Sequence, residues 1–368
     1  MISLKIGNKL IGDSNPCFII AEAGVNHNGD FDLAIKLIDA AKAAGVDAVK
    51  FQTFKAEEIV IPDTRQADYQ SKNIGKVESQ YKMLKRLELS YGDFRGLKAH
   101  CDRVGIIFMS TPHSCRDDVD LVAELCPAIK VGSGDLTNKP MLEYMASKGL
   151  PMIIATGMAT MEEAKEAAGW ILPINPGLVV LHCSTDYPTP LNEVNLRAIQ
   201  TIQNELGVMA GYSDHTEEIN VSLAAVALGA RVIEKHFTLN KTMSGPDHKA
   251  SLEPDELKAL VDGVREVEKR IAQGQPAEKI IRELNIDAAL GNGIKIPTPS
   301  EIETAKVARK SIVAAGNISS GQTIIAEMLA IKRPGTGMQP KLWNCVVGKR
   351  ALVSIADNQL ISPEMLDT

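Results

Sequence analysis

The chain has 368 residues, of which 45% are apolar and 23% charged, enough to build one large domain and one smaller one. A formal net charge of −6 speaks against nucleic acid and anionic membrane surfaces as partners, since both call for a basic face. Aromatic residues amount to only 4%, so the core must be made of Ala, Val, Ile and Leu, and no apolar run reaches the roughly 18–20 residues needed to cross a bilayer.

The first segment, "MISLKIGNKLIGDSNP", alternates polar and apolar residues around a Gly-Asn turn and predicts a hairpin rather than a secretory leader. Short Val/Ile-rich runs follow at 17–23 ("CFIIAEA"), 46–52 ("VDAVKFQ"), 105–111 ("GIIFMST") and 128–134 ("AIKVGSG"). Four more lie at 151–157 ("PMIIATG"), 178–184 ("LVVLHCS"), 207–214 ("GVMAGYSD") and 230–236 ("ARVIEKH"). Each is followed by a stretch apolar at helical spacing, as in "DLAIKLIDAAKAAG". Strand–helix alternation implies right-handed crossovers and a parallel sheet, and eight units in this length suit a closed (β/α)8 TIM barrel. An open doubly wound sheet would want a Gly-rich phosphate turn after its first strand, and "EAGVNHNGD" has none.

Beyond residue 265 the pattern changes. "LGNGIKIPTPSE" leads away from the barrel, and from about Val307 short alternating runs with Gly turns predict a small all-β module. The expected division is a barrel with its hairpin at 1–285, a linker at 286–305 and the β module at 306–368. The six cysteines (Cys17, Cys101, Cys115, Cys126, Cys183, Cys345) form no CxxC pair, which predicts reduced thiols and a cytoplasmic protein.

In a parallel barrel the C-terminal strand ends share one open mouth, so polar residues there are candidate catalytic groups. Nearly every strand here ends in them: Glu22, then Lys50 and Gln52, Thr111, Lys130 with Ser133 and Asp135, Thr156, and His182 with Ser184, Asp186 and Tyr187. The last two strands bring Ser213, Asp214 and His215, and Glu234, Lys235 and His236. Adjacent strands lie about 4.8 Å apart, so His215 and His236 can share one divalent cation and leave positions open for water and substrate. The plainer alternative is that each imidazole only hydrogen-bonds in the rim. Lys50 and Lys130 lie inside apolar runs; pointed inward, beside Thr111, Ser133 and the "GSG" amides, they would cradle a phosphate or carboxylate. His27 either belongs to this site or helps Asp30 to cap the first helix. His100, on a helix, reads as surface or packing.

These strings, from "IIAEAGVNHNGD" and "VKFQTFKA" through "KVGSGDLTN", "LHCSTDYPTP", "GYSDHT", "IEKHFTL" and "GPDHKAS" to "KRPGTG", together resemble the sialic acid synthase family. The resemblance implies a TIM barrel followed by an antifreeze-like (SAF) domain, swapped across a homodimer to cap the neighbour's active site. It implies condensation of phosphoenolpyruvate with an N-acetylated amino-sugar aldehyde, of the N-acetylmannosamine type, with release of phosphate. A divalent metal assists: manganese, with magnesium or cobalt as alternatives. His215 and His236 would hold that metal. Lys50 and Lys130 would hold phosphoenolpyruvate with Thr111, Ser133 and Thr185, and Ser213 would join the substrate contacts. Gln52, Tyr187, Asp247 and Asp135 would face the sugar, Glu22 would steer proton transfer, and Arg333 of the partner would reach the acyl group. Asp135 replaces a common Glu, Ala155 a common Ser, and Thr185 an Asn of some relatives. The sequence therefore leaves open a second sugar, the 2,4-diacetamido-6-deoxy precursor of N,N'-diacetyllegionaminate.

Overall fold

A computed structural model describes residues 3–367. Its centre is an eight-stranded parallel, nearly closed barrel: β3 (Phe18–Gly24), β4 (Ala48–Thr53), β5 (Ile107–Pro112), β6 (Ile129–Val131), β7 (Met152–Ala155), β8 (Leu178–His182), β9 (Met209–Asp214) and β10 (Val232–His236). The ladder runs β5-β4-β3-β10-β9-β8-β7-β6, and β5 and β6 adjoin at the seam. The N-terminal segment is the expected hairpin, β1 (Ser3–Ile6) paired antiparallel with β2 (Lys9–Gly12).

Side chains alternate across each strand, and the alternation sorts the core into two. One set, including Phe18, Ile20, Met109, Ile153, Val179 and Val232, fills the barrel, and Ile6 and Ile11 of the hairpin belong to the same cluster and close its lower end. The other set, including Ile19, Val49, Phe108, Ile154, Val180 and Ile233, packs outward against the helices. The first of those helices, Phe31–Ala44, starts at Asp30, whose side chain accepts from the amides of Asp32 and Leu33, and stops at Gly45 with φ 84°.

Two features depart from the sequence reading. Between β4 and the helix Tyr91–Val104 lies an insertion with three short helices, Ala56–Ile59, Asp68–Ile74 and Gln80–Lys85, built on its own apolar cluster. And the expected linker is not free. Leu196 and Arg197 donate backbone bonds to Ala289 and Leu290, Met161 donates to Lys295, and a helix, Pro299–Ala308, fills its second half.

The C-terminal module contains β11 (Ser311–Ala314) paired antiparallel with β12 (Leu329–Lys332), several isolated bridges, and one small core that includes Ile312, Ile324 and Ile355. It docks on the barrel of its own chain. Arg309 pairs with Glu163 at 2.7 Å, Lys310 with Asp135 at 2.7 Å, and the Arg333 amide donates to the Ile59 carbonyl at 2.9 Å.

Candidate active site

The alternation that fills the barrel floor also chooses the residues at its mouth. Phe18 and Ile20 are followed on the same face by Glu22, Ala48 by Lys50 and Gln52, Met109 by Thr111, and Val232 by Glu234 and His236. In the ladder Glu22 pairs with Lys50 on one side and His236 on the other, and Glu234 with Ser213. Residues of the opposite parity leave the site: Asp214 and Lys235 form a fully buried ion pair at 3.0 Å on the helix side, where Ser222 and Thr216 complete their bonding. Those two strand-end charges therefore brace the wall and do not enter the cavity.

One cavity under the C-terminal module is lined by Glu22, Lys50, Gln52, Thr111, Lys130, Ser133, Thr185, Tyr187, Ser213, His215, His236, Asp247 and Arg333. Asp135 is the exception. Its carboxylate is held by Lys310 at 2.7 Å and Asn138 at 2.9 Å, with His113 3.7 Å away. Burial alone would push it up, but Lys310 and His113 outweigh that and hold it well below the usual carboxylate range. Asp135 therefore does not face the cavity as a rim carboxylate, because its charge is taken up by Lys310 of the C-terminal module. Arg333 does line the cavity, and in the single chain its Nη1 donates to Gln80 Oε1 at 3.0 Å. The connection through Pro299–Ala308 carries the chain back over its own mouth.

At the floor of the cavity four charges alternate. Lys50 Nζ lies 2.6 Å from Glu22 Oε2, 3.6 Å from Glu234 Oε2 and 3.0 Å from Thr111 Oγ1. Lys130 Nζ lies 3.3 Å from Glu234 Oε1, which also accepts from Ser213 Oγ at 2.9 Å. Gln52 donates to Glu22 Oε1 at 2.9 Å. Burial pushes both carboxyls up, but the two lysines outweigh it at Glu234, which is held at about 2. At Glu22 burial wins over Lys50, helped by the charge of Glu234, and the carboxyl is raised. Glu234 is thus the carboxylate held more firmly in its charged form, and Glu22 is the more basic of the two. The sequence places Glu234 among the strand-end polar residues without a role of its own; its parity with His236 is the signal that singles it out.

Beside the lysines is a hydroxyl cradle. Ser133 Oγ accepts from the Gly157 amide at 3.0 Å, and Thr185 Oγ1 is buried with no hydrogen-bond partner. A Cβ on Gly157 would sit 2.0 Å from Thr185 Oγ1 and 2.8 Å from Ser133 Oγ, so only glycine leaves both hydroxyls in place. Glu301, from the helix that follows the barrel, fixes the loops around them by accepting from the amides of Met158 at 2.7 Å and Thr185 at 2.8 Å.

The imidazoles of His215 and His236 stand across the cavity with ring centroids 5.5 Å apart, and the Tyr187 ring lies 4.1 Å from the first and 5.4 Å from the second. His215 Nδ1 is 2.6 Å from the Ser184 carbonyl, which can only accept, so Nδ1 carries the proton and Nε2 keeps its lone pair. His236 Nδ1 is buried without a hydrogen-bond partner, 4.0 Å from Asp247 Oδ2. Burial pushes His215 down to about 4 and His236 well below its usual value, while burial and the Glu22 charge push Asp247 up to about 7. Two neutral imidazoles fit a borderline divalent cation. Among the described residues no group of three or more His, Cys, Asp or Glu converges on one point, so the protein offers a pair of ligands and not a closed site. His27 lies outside the cavity; its Nδ1 accepts from the Gly29 amide at 3.0 Å, a loop-closing role beside the helix cap.

These histidines give a first expected outcome. Burial holds His27, His113 and His215 at about 4 and His182 at about 3 in the folded chain, against about 6.5 when unfolded. Between those values the unfolded state binds more protons, so stability is lost as pH falls from about 6.5 towards 4, by up to ~1.4 kcal/mol per group per pH unit. Urea midpoints of metal-free protein should therefore drop steadily from pH 7 to pH 4.5. A flat profile would mean that these rings are not held neutral.

The sequence matches the NeuB family over residues 37–276 and the SAF domain over residues 309–367. The N,N'-diacetyllegionaminic acid synthase of Legionella pneumophila is 42% identical over 95% of this chain and 94% of its own. The enzyme of the same name from Campylobacter jejuni is 43% identical over 93% of this chain and 98% of its own. Among solved structures, the spore coat polysaccharide biosynthesis protein spsE of Bacillus subtilis superposes with a TM-score of 0.84 at 32% identity, covering 100% of this chain and 99% of that one.

Proposed function

The chain belongs to the NeuB family, and from that premise we propose that it condenses phosphoenolpyruvate with the open-chain aldehyde of an N-acetylated amino sugar, releasing phosphate and forming a nonulosonic acid. The sugar is of the N-acetylmannosamine type; the second reading, the same chemistry on 2,4-diacetamido-2,4,6-trideoxymannose, draws support from the two legionaminate-forming relatives. One observation carries the proposal: two buried lysines with a hydroxyl cradle and two neutral imidazoles line the same cavity.

Lys50 and Lys130 would exchange part of their contact with Glu234 for the carboxylate and phosphate of phosphoenolpyruvate, with Thr111, Ser133 and Thr185 on its oxygens. Its methylene carbon then forms the new C–C bond to the aldehyde carbon, water adds at the central carbon, and the C–O bond to phosphate breaks. The aldehyde oxygen takes up a proton, and Glu22, raised by burial, is placed to hold or pass it. Gln52, Tyr187, Asp247 and Arg333 would orient the sugar. His215 and His236 would hold the divalent metal, manganese in preference to magnesium or cobalt, which supplies Lewis-acid polarisation of the aldehyde when bound.

The working unit would be a homodimer. The contacts of the C-terminal module, made here within one chain, join the same surfaces when exchanged between two. Six free cysteines support a cytoplasmic setting, and no helix among the described residues is long and apolar enough to cross a membrane. Binding tests the lysine berth: phosphoenolpyruvate should raise the melting temperature of the wild-type protein, and Lys130→Met should lose most of that rise. An equal rise in both would remove Lys130 from the berth.

A further inference from the structure

We propose that residues 298–310, which join the barrel to the C-terminal module, form a clamp that holds the phosphate-binding half of the site in shape, with Glu301 as its central positioning residue. This rests on the reading that the hydroxyl cradle receives phosphoenolpyruvate. The cradle is drawn from four places: Thr111 lies on β5, Ser133 follows β6, Gly157 follows β7 and Thr185 follows β8. Loops beyond the strand ends have no ladder to fix them. Side chains of the connecting segment take hold of each one. Glu301, buried, accepts through a single oxygen, Oε1, from the amides of Met158 at 2.7 Å and Thr185 at 2.8 Å, and so ties the β7 loop to the β8 loop. Arg309 Nη2 donates to the Met158 carbonyl at 2.7 Å. Lys310 Nζ donates to the His113 carbonyl, just beyond Thr111, and to Asp135, just beyond Ser133. The backbones also meet: a Cβ on Gly134 would lie 2.6 Å from the Ala308 carbonyl oxygen, so the turn that carries Ser133 packs directly on the segment.

Met158 shows that the clamp shapes its loop. Its φ is 61°, a left-handed conformation that a methionine keeps only where the surroundings impose it. Here its N–H is held by Glu301 and its carbonyl by Arg309, which is itself steadied by Glu163. If Met158 were released, the neighbouring Gly157 would move with it. The Gly157 amide donates to Ser133 Oγ at 3.0 Å, and its Cα stands where any side chain would strike Thr185 Oγ1. The bonds of Glu301, Arg309 and Lys310 named here go to the β5 to β8 side of the mouth, whereas His215 and His236 stand at the ends of β9 and β10. Loss of the clamp should therefore fall on phosphoenolpyruvate and spare the sugar and the metal.

The test is made on the full chain with whichever of N-acetylmannosamine and the 2,4-diacetamido-6-deoxy sugar the wild type turns over faster. Glu301→Met, similar in size but without an acceptor, leaves two buried amides unpaired. KM for phosphoenolpyruvate should rise at least about tenfold, while kcat and KM for the sugar stay within about threefold of wild type. Hydrogen exchange at the Met158 and Thr185 amides should quicken. Glu301→Gln keeps one oxygen for both amides, although it gives up the bond from the Thr298 amide, and should recover most of the lost affinity. Should Glu301→Met fail to fold, Glu301→Asp, too short to span both amides, takes its place with the same split expected. An unchanged KM for phosphoenolpyruvate, an equal rise in both KM values, or a Gln variant no better than the first overturns the inference and leaves the condensation reading standing. A wild-type protein that phosphoenolpyruvate does not stabilise, and that forms no product from either sugar, overturns the parent reading and this inference with it.

Discussion

Glu234→Gln should lower the stability of the ligand-free protein by about 3–5 kcal/mol, the usual cost of removing one partner from a buried charge pair. The reason is the arrangement at the barrel floor. Glu234 is the charged carboxylate between Lys50 and Lys130, and neither lysine has water to fall back on. Phosphoenolpyruvate would bring replacement negative charge, so its addition should raise the melting temperature of the variant more than that of the wild type. Glu22→Gln provides the contrast. Its carboxyl is raised by burial and by the neighbouring Glu234 charge, and it pairs with one lysine where Glu234 bridges two, so the loss should be clearly smaller. Urea denaturation of the two variants, with and without phosphoenolpyruvate, checks the assignment. Equal losses would mean that the negative charge is not concentrated on Glu234.

His236→Ala should abolish manganese-dependent turnover, with kcat/KM falling at least ~10³-fold, which corresponds to the loss of ~4 kcal/mol of transition-state stabilisation. Manganese binding followed by electron paramagnetic resonance should weaken in parallel, giving a readout independent of catalysis. His182→Ala is the control. His182, at the end of β8 and two strands from His236, is as deeply buried, but its Nε2 is 2.7 Å from the Val194 carbonyl and it does not line the cavity. That variant should lose stability and keep its manganese dependence. Full manganese-dependent activity in His236→Ala would take the metal away from this pair.

The barrel was legible because each strand is short, β-branched and followed by a helical period, and those signals are local. The site was legible wherever alternation along one strand was enough. Lys50, Gln52, His215 and His236 could be located without knowing any contact across the fold. Three things were not local. Asp135 looked like a rim carboxylate, and only the docking of Lys310, 175 residues later, shows where its charge goes. Glu234 shares its face with His236, but its importance lies in bridging lysines from two other strands. The insertion after β4 has no long period; its helices have seven residues or fewer, and its apolar cluster closes only against Val25 and Phe54. The linker's contacts with the barrel are hidden for a related reason: they are backbone bonds, which composition does not announce.

The berth for a three-carbon enol phosphate facing an aldehyde is tested most directly by the product. Purified chain, phosphoenolpyruvate, manganese and the 2,4-diacetamido-6-deoxy sugar or N-acetylmannosamine should yield one equivalent of phosphate for each molecule of a new acid. The mass of that acid should equal the sugar plus phosphoenolpyruvate plus water minus phosphoric acid. Release of pyruvate and phosphate with both sugars recovered unchanged would contradict it.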